Sequence, residues 1–119
     1  MTVNDDEFQL YDLRVEVLAS ADGRPLVCKH RVGDYFTLTD DDLITFPPGV
    51  RFPIYPLAAL LPLLTAKQRA FNRNDWMYTD SVIACPDPYC GGRFRISRGE
   101  LRTYRHSEQT VAPREAGQP

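Results

Sequence analysis

Alternating apolar and charged residues predict several β-strands in this chain. Residues 8–19 include the run Leu-Arg-Val-Glu-Val, in which every second side chain is apolar, as is typical of a strand with one buried face. Residues 33–39 show the same alternation. Residues 81–84 and 93–97 are two short strands around a Gly-Gly turn signal, so they are predicted to form a hairpin. Residues 100–106 are a candidate for a last edge strand.

One helix is predicted between these groups of strands, over residues 56–69. Leucines recur at intervals of three and four, which gives the segment a single apolar stripe. The stripe consists of Leu57, Leu60, Leu61 and Leu64. Pro62 lies inside the segment and lacks the N–H that an interior helical residue donates, so a kink or a restart of the helix is expected there. These elements predict an α+β fold in which the kinked helix packs across a small antiparallel sheet of hairpins.

The length favours a single domain, because 119 residues fall within the usual size of one folding unit. The domain is expected to span residues 1–106. Residues 107–119 are mostly polar and include proline and glycine, so they are predicted to form a disordered tail. A chain of this length buries a substantial core, and a metal is therefore not needed merely for folding.

Neither a secretion signal nor a membrane span is expected from the sequence. The first residues are polar and acidic, unlike the start of a signal peptide. The longest apolar stretch, residues 55–64, is interrupted by two prolines and is too short to cross a bilayer. We therefore predict a cytoplasmic protein whose cysteines are reduced.

The candidate chemistry lies in the three cysteines and one of the two histidines. They occur as two close pairs, Cys28 with His30 and Cys85 with Cys90, and the second pair resembles a zinc knuckle lengthened by two residues. Thiolate and imidazole are the ligands that zinc prefers, and four of them complete a tetrahedral site. The sequence thus predicts a zinc site made of these four residues. A second interpretation, in which the cysteines pack as small hydrophobic residues, remains open.

A catalytic interpretation uses the same residues. His30 could lower the pKa of the Cys28 thiol and produce a nucleophile, with Asp34 or Asp87 orienting the imidazole. A metal with three protein ligands would instead leave one position open for water or substrate. Both versions predict a small molecule as the partner, and a homodimer is a further expectation.

Three other chemistries are less favoured by the sequence. Iron held by two histidines and a carboxylate would need His106, which lies at the start of the polar tail. Trp76, Tyr78 and Tyr89 could stack on a ligand, but aromatic residues are more often part of a core or its rim. Nucleic acid is not expected, since the net charge is −2 although the last third of the chain is rich in arginine. The arginines of this stretch include Arg93, Arg95, Arg98, Arg102 and Arg105.

The order of these motifs resembles a family of short bacterial and archaeal proteins of uncharacterised function, known by a numbered sequence model. The resemblance covers residues 8–98. It rests on Cys28 and His30 followed by Val-Gly-Asp, on the Tyr-Pro pair that opens the helix, and on Cys85 followed by Pro-Asp-Pro. It implies a shared fold and a shared candidate site, but no particular reaction. Members occur beside metabolic and natural-product genes, which is an association only.

The chain departs from that family pattern at three points. Its first cysteine and histidine are closer together, it has Phe52-Pro53-Ile54 where the family has a cysteine before the helix, and Cys90 has no common equivalent. Two function hypotheses follow. One is a small metabolic or natural-product biosynthetic enzyme, and the other is a non-catalytic binding or accessory protein with a structural zinc or simply buried cysteines. A filled fourth ligand, Cys90, favours the second.

Overall fold

The computed structural model describes residues 6–113, which form a five-stranded antiparallel sheet and one long helix. The strands lie in the order β3-β2-β1-β5-β4. The strands are β1 (Glu7–Leu18), β2 (Tyr35–Thr39), β3 (Leu43–Thr45), β4 (Ser81–Ala84) and β5 (Arg93–Arg105), and the helices are α1 (Ile54–Arg69) and α2 (His106–Gln109). A single 3-10 turn, Trp76–Tyr78, lies between α1 and β4. The predicted α+β class with a small antiparallel sheet is confirmed.

Strands β1 and β5 form the long centre of the sheet. They pair from Glu7 opposite Arg105 to Leu18 opposite Arg93, with one irregularity just before Leu13. The predicted hairpin of β4 and β5 is confirmed, with Ile83 opposite Phe94. The predicted last strand is not a separate element, because residues 100–105 simply continue β5. Strand β3 pairs with β2 at one edge of the sheet, with Ile44 opposite Leu38.

The core lies on the face of the sheet that carries the alternating apolar residues. Phe36, Phe94 and Ile96 are completely buried there. Leu60 and Leu64 of helix α1 belong to the same buried cluster, so helix and sheet share one core. That the helix is kinked and packs across the sheet remains a prediction.

Helix α1 continues through Pro62, so the alternative of a restart at this residue is wrong. Pro62 and Ala58 are both exposed, and the Ala58 carbonyl that loses its hydrogen bond can therefore be hydrated. The buried face also differs at its edges from the predicted stripe. Leu61 is 41% exposed, whereas Lys67 and Gln68 are buried.

The boundary predicted after residue 106 falls within α2. The backbone N–H of His106 donates to the carbonyl of Asp6, and the Ser107 hydroxyl donates to the Asp6 carboxylate at 2.7 Å. These contacts attach the start of the predicted tail to the beginning of β1. Residues 114–119 lie outside the described part of the chain, and disorder of the tail remains a prediction. Within residues 6–113, no helix combines the length and the apolar character that a membrane span requires.

Candidate metal centre

Sheet topology brings the two predicted ligand pairs to one end of the molecule. Cys28 and His30 lie in the long loop that follows β1, and Cys85 and Cys90 lie in the loop between β4 and β5. Because β1 and β4 are both antiparallel to β5, the ends of β1 and β4 meet the start of β5. The two loops are therefore neighbours, although 57 residues separate Cys28 from Cys85.

The β4–β5 loop is held in a tight fold around its cysteines. The Asp87 carboxylate accepts a hydrogen bond from the N–H of Tyr89 at 3.0 Å, and the Asp87 carbonyl accepts one from the N–H of Cys90 at 3.2 Å. The N–H of Cys85 donates to the Gly92 carbonyl and closes the loop at 2.9 Å. These bonds direct both cysteines toward the loop that carries Cys28 and His30.

The sulfur atoms of the three cysteines form one compact cluster. They lie within 4.8 Å of one another, and the Cys28 and Cys85 sulfurs are 4.0 Å apart. Cys28 and Cys90 are joined as a disulfide, and Cys85 is a buried free thiol. This pairing differs from the reduced state expected from the sequence. The loops place the two Cα atoms 5.5 Å apart, which lies within the range for a disulfide.

His30 lies beneath this cluster in an apolar environment. It is 3% exposed, and its Nε2 atom is 3.8 Å from the Cys90 sulfur. The Phe94 ring packs against it, with centroids 5.0 Å apart. Burial lowers the pKa of His30 below its ordinary value, which favours the neutral imidazole, the form that ligates metals.

The other imidazole nitrogen, Nδ1 of His30, has no hydrogen-bond partner within residues 6–113 although it is buried. Neither Asp34 nor Asp87 therefore orients the ring in this arrangement. The Asp87 carboxylate instead bonds the loop backbone at Tyr89. The thiol-nucleophile hypothesis, which assigned catalytic roles to Cys28, His30 and Asp87, thus lacks the contact that it requires from Asp87.

Gly92 is a further residue of the site, for which the sequence pattern indicated only a turn. It is buried, and a Cβ atom at this position would overlap Nε2 of His30 and lie 3.1 Å from the Cys90 sulfur. The imidazole can approach Cys90 only because residue 92 has no side chain. The Gly-Gly pair after Cys90 was the available signal, but its second glycine could not be linked to His30 without the tertiary structure.

The three cysteine sulfurs are close enough to one another to hold a metal ion, whereas His30 lies beside Cys90 and outside that close group. With zinc–ligand bonds near 2.3 Å, ligand atoms in a tetrahedron are roughly 3.5 to 3.8 Å apart. The Cys28–Cys85 and Cys90–His30 separations, 4.0 and 3.8 Å, are close to these values. The buried neutral imidazole and the vacancy provided by Gly92 also suit a metal. Zinc would need Cys28 and Cys90 as separate thiolates, so disulfide and complete metal site are alternative states.

An apolar groove of about 360 Å³ adjoins the cluster. Cys28 and Cys85 form one wall, and the other wall is the first turn of α1, including Tyr55. Cys28 is half-buried, whereas Cys90 is enclosed. Solvent or a small molecule in this groove would therefore contact the site at Cys28 and Cys85.

The remaining candidates from the sequence lie elsewhere. His106 follows the far end of β5, and its Nε2 atom is 2.6 Å from the Ala112 carbonyl. The Trp76 ring lies 5.3 Å from the Lys67 amine, and the Tyr78 ring covers the Arg98 guanidinium at 3.7 Å. The iron site and the aromatic ligand stack therefore gain no support from these positions.

Of the five arginines Arg93, Arg95, Arg98, Arg102 and Arg105, four have partners among residues 6–113. Arg102 pairs with Asp12 at 2.7 Å, and Arg98 lies between the rings of Tyr11 and Tyr78. The other two are Arg93, which donates to the Ala19 carbonyl, and Arg105, which lies 4.0 Å from Asp6 and Glu7. Arg102 and Arg105, whose charges are paired with carboxylates, contribute less to binding a phosphate backbone.

Comparison with known proteins gives no relative for this chain. Its sequence matches no protein-family model, and neither a curated protein nor a solved structure matches it. Membership of the numbered bacterial and archaeal family therefore remains a prediction, and function must be argued from the site.

Proposed function

We propose that this chain is a small zinc protein whose metal is held by Cys28, His30, Cys85 and Cys90. The observation that carries the proposal is the convergence of these residues from two distant loops, with all three sulfurs within 4.8 Å and the imidazole against Cys90. Soft donors at this spacing are the usual ligand set of zinc, which would bind them as thiolates and a neutral imidazole.

A structural role for the metal is the first candidate. Cys90 and His30 are 2% and 3% exposed, so two of the ligands are enclosed by protein. A fourth ligand in Cys90 leaves no position for substrate in a tetrahedral site. Zinc would then join the irregular loop after β1 to the β4–β5 hairpin, and the protein would act through binding and not catalysis.

A small metabolic or biosynthetic enzyme is the second candidate, and the apolar groove supports it. The groove reaches Cys28 and Cys85, where a metal held by Cys28, His30 and Cys85 would face an incoming small molecule. This version agrees with the absence of a Cys90 equivalent from the resembling family. It requires Cys90 to be dispensable for holding the metal.

Metal content tests the zinc proposal directly. Protein reduced with a phosphine and supplied with zinc should retain about one equivalent after dialysis, because four preorganised soft ligands bind zinc tightly. Cys85→Ser should reduce this value strongly, and His106→Ala, the change at the other histidine, should not. Protein first oxidised with peroxide, which converts two thiols to a disulfide and water, should bind far less. A reduced wild-type protein without zinc and with three freely titratable thiols would contradict the proposal.

Comparing Cys90→Ala with His30→Ala distinguishes the two roles. If zinc is structural, both variants should lose metal and melt at a much lower temperature, since structural zinc contributes folding free energy. If the site is catalytic, Cys90→Ala should keep both metal and fold, while His30→Ala should be folded but poor in metal. Thermal melting and metal analysis of both variants, beside His106→Ala, decide between these outcomes.

A further inference from the structure

We propose that a basic cleft beside the metal centre binds a small organic dianion, either a phosphate monoester or a dicarboxylate. The cleft has a volume of about 520 Å³, which is within the usual range for small-molecule sites. Its lining includes Lys29, Arg31, Asp34, Arg51 and Phe52. Lys29 lies between Cys28 and His30 in the sequence, so the cleft adjoins the metal centre without using its ligands.

The charge of the lining indicates the charge of the ligand. Lys29, Arg31 and Arg51 supply three positive charges and Asp34 one negative charge, while the whole chain has a net charge of −2. None of these three cations forms an ion pair within the part of the chain that is described, residues 6–113. Cations held together in a concave site repel one another and attract anions, and a dianion would balance the two excess charges.

Two tight turns build the walls of the cleft and keep them in place. The first spans Arg31 to Asp34, where the Asp34 N–H donates to the Arg31 carbonyl at 3.1 Å and Gly33 has a φ of +90°. The second has the same kind of bond, from the Val50 N–H to the Pro47 carbonyl at 3.1 Å, with Gly49 at a φ of +82°. Because both backbones are fixed before a ligand arrives, less conformational entropy is lost on binding.

Phe52 indicates that the ligand has an organic part. It lines the cleft and is only half-buried, although its ring packs on Phe36 and Phe94 at centroid distances of 5.2 and 5.5 Å. The core therefore holds a rigid apolar surface beside two guanidinium groups. Arginine binds phosphate and carboxylate oxygens in pairs, and the ring provides a contact for the carbon part of the ligand.

Anion binding in this cleft does not depend on zinc. The cleft is present with Cys28 and Cys90 joined to each other, a state in which those two cysteines cannot serve as zinc ligands. If the zinc proposal fails, the proposal of anion binding therefore still stands. If no anion binds, the zinc proposal still stands.

Calorimetric titration of the full chain at low ionic strength tests the proposal, with phenyl phosphate and succinate as probes and phenol as the neutral control. At least one dianion should bind with 1:1 stoichiometry, and phenol should bind far more weakly. Arg31→Gln and Arg51→Gln should each weaken binding about tenfold, since each removes a charge-assisted hydrogen bond. Arg95→Gln, at an exposed position of β5, is the matched control and should bind like the wild type.

Three results would overturn the proposal. The first is that neither dianion binds at millimolar concentration. The second is that Arg95→Gln weakens binding as much as Arg31→Gln and Arg51→Gln do. The third is that binding is unchanged when both Arg31 and Arg51 are replaced. A melting curve for each variant confirms that it is folded. Cys85→Ser should bind the dianion as the wild type does, even where it has lost zinc. Loss of anion binding in that variant would refute a cleft that acts independently of the metal.

Discussion

Replacing Gly92 with alanine should abolish most zinc binding while leaving the sheet folded. The added Cβ would occupy the space through which Nε2 of His30 approaches the Cys90 sulfur. Either the imidazole or the Cys90 side chain must move, so two of the four proposed ligands are displaced from each other. We expect zinc affinity to fall by about 100-fold, at the upper end of the effects seen for residues that position metal ligands. Competition with a zinc-binding dye under reducing conditions measures this change.

Gly99→Ala is the matched control for Gly92→Ala. Gly99 lies in β5, and a Cβ there would meet its nearest atom, the Asp12 carbonyl oxygen, at an ordinary 3.6 Å. Zinc affinity should be unchanged in this variant. Gly92→Ala should also lose roughly 1 to 3 kcal/mol of stability, the usual cost of overpacking a core position. A Gly92→Ala protein that binds zinc as tightly as the wild type would show that His30 and Cys90 are not ligands together.

Lys67→Met should destabilise the fold by about 3 kcal/mol, which is a large effect for a single substitution. Lys67 is completely buried, and its amine donates hydrogen bonds to three carbonyls in the turn before β4. The acceptors are the carbonyls of Trp76, Met77 and Thr79, at 3.4, 3.2 and 2.6 Å. Methionine keeps the apolar stem but leaves these carbonyls without their common donor.

The charge of Lys67 makes this site unusual for a helix that faces a core. Burial, together with the nearby cation of Arg98, lowers the pKa of the amine below its ordinary value. The hydrogen bonds to these carbonyls therefore offset the free-energy cost of desolvating the Lys67 amine. The same hydrogen bonds hold the turn in place. Arg69→Met, an exposed change on the same helix, is the control and should alter stability by less than about 0.5 kcal/mol. Urea unfolding of both variants measures the difference, and equal midpoints would contradict this role.

Local pattern was sufficient to predict most of the regular structure. Alternation over Leu13 to Val17 identified β1, and the Gly-Gly signal identified the β4–β5 hairpin, in which Phe94 and Ile96 are completely buried. Such patterns are informative because a strand with one buried face must place every second side chain in the core. The long apolar segment also identified α1, although not its continuity through Pro62.

Other features of the fold could not be predicted because they depend on residues that are distant in sequence. The burial of Lys67 requires acceptors from the turn before β4, and the burial of Gln68 accompanies a hydrogen bond to the Asp41 carbonyl at 2.9 Å. Helical periodicity alone assigned the apolar face to Leu61, which is exposed. Side-chain type predicts burial poorly where a polar group finds partners outside its own element.

For the site, the sequence by itself determined which residues have the chemistry. The three cysteines are the only thiols in the sequence, and His30 is one of its two imidazoles. Their occurrence as two close pairs on two loops predicted that they would act together. Only the tertiary structure decided how they meet: Cys28 is joined to Cys90, Cys85 remains free, and Gly92 makes room for the imidazole. The cleft formed by Lys29, Arg31 and Arg51 likewise could not be predicted from the sequence. The physical reason is that donor chemistry belongs to each residue, whereas distance and burial are set by the pairing of β1 and β4 with β5.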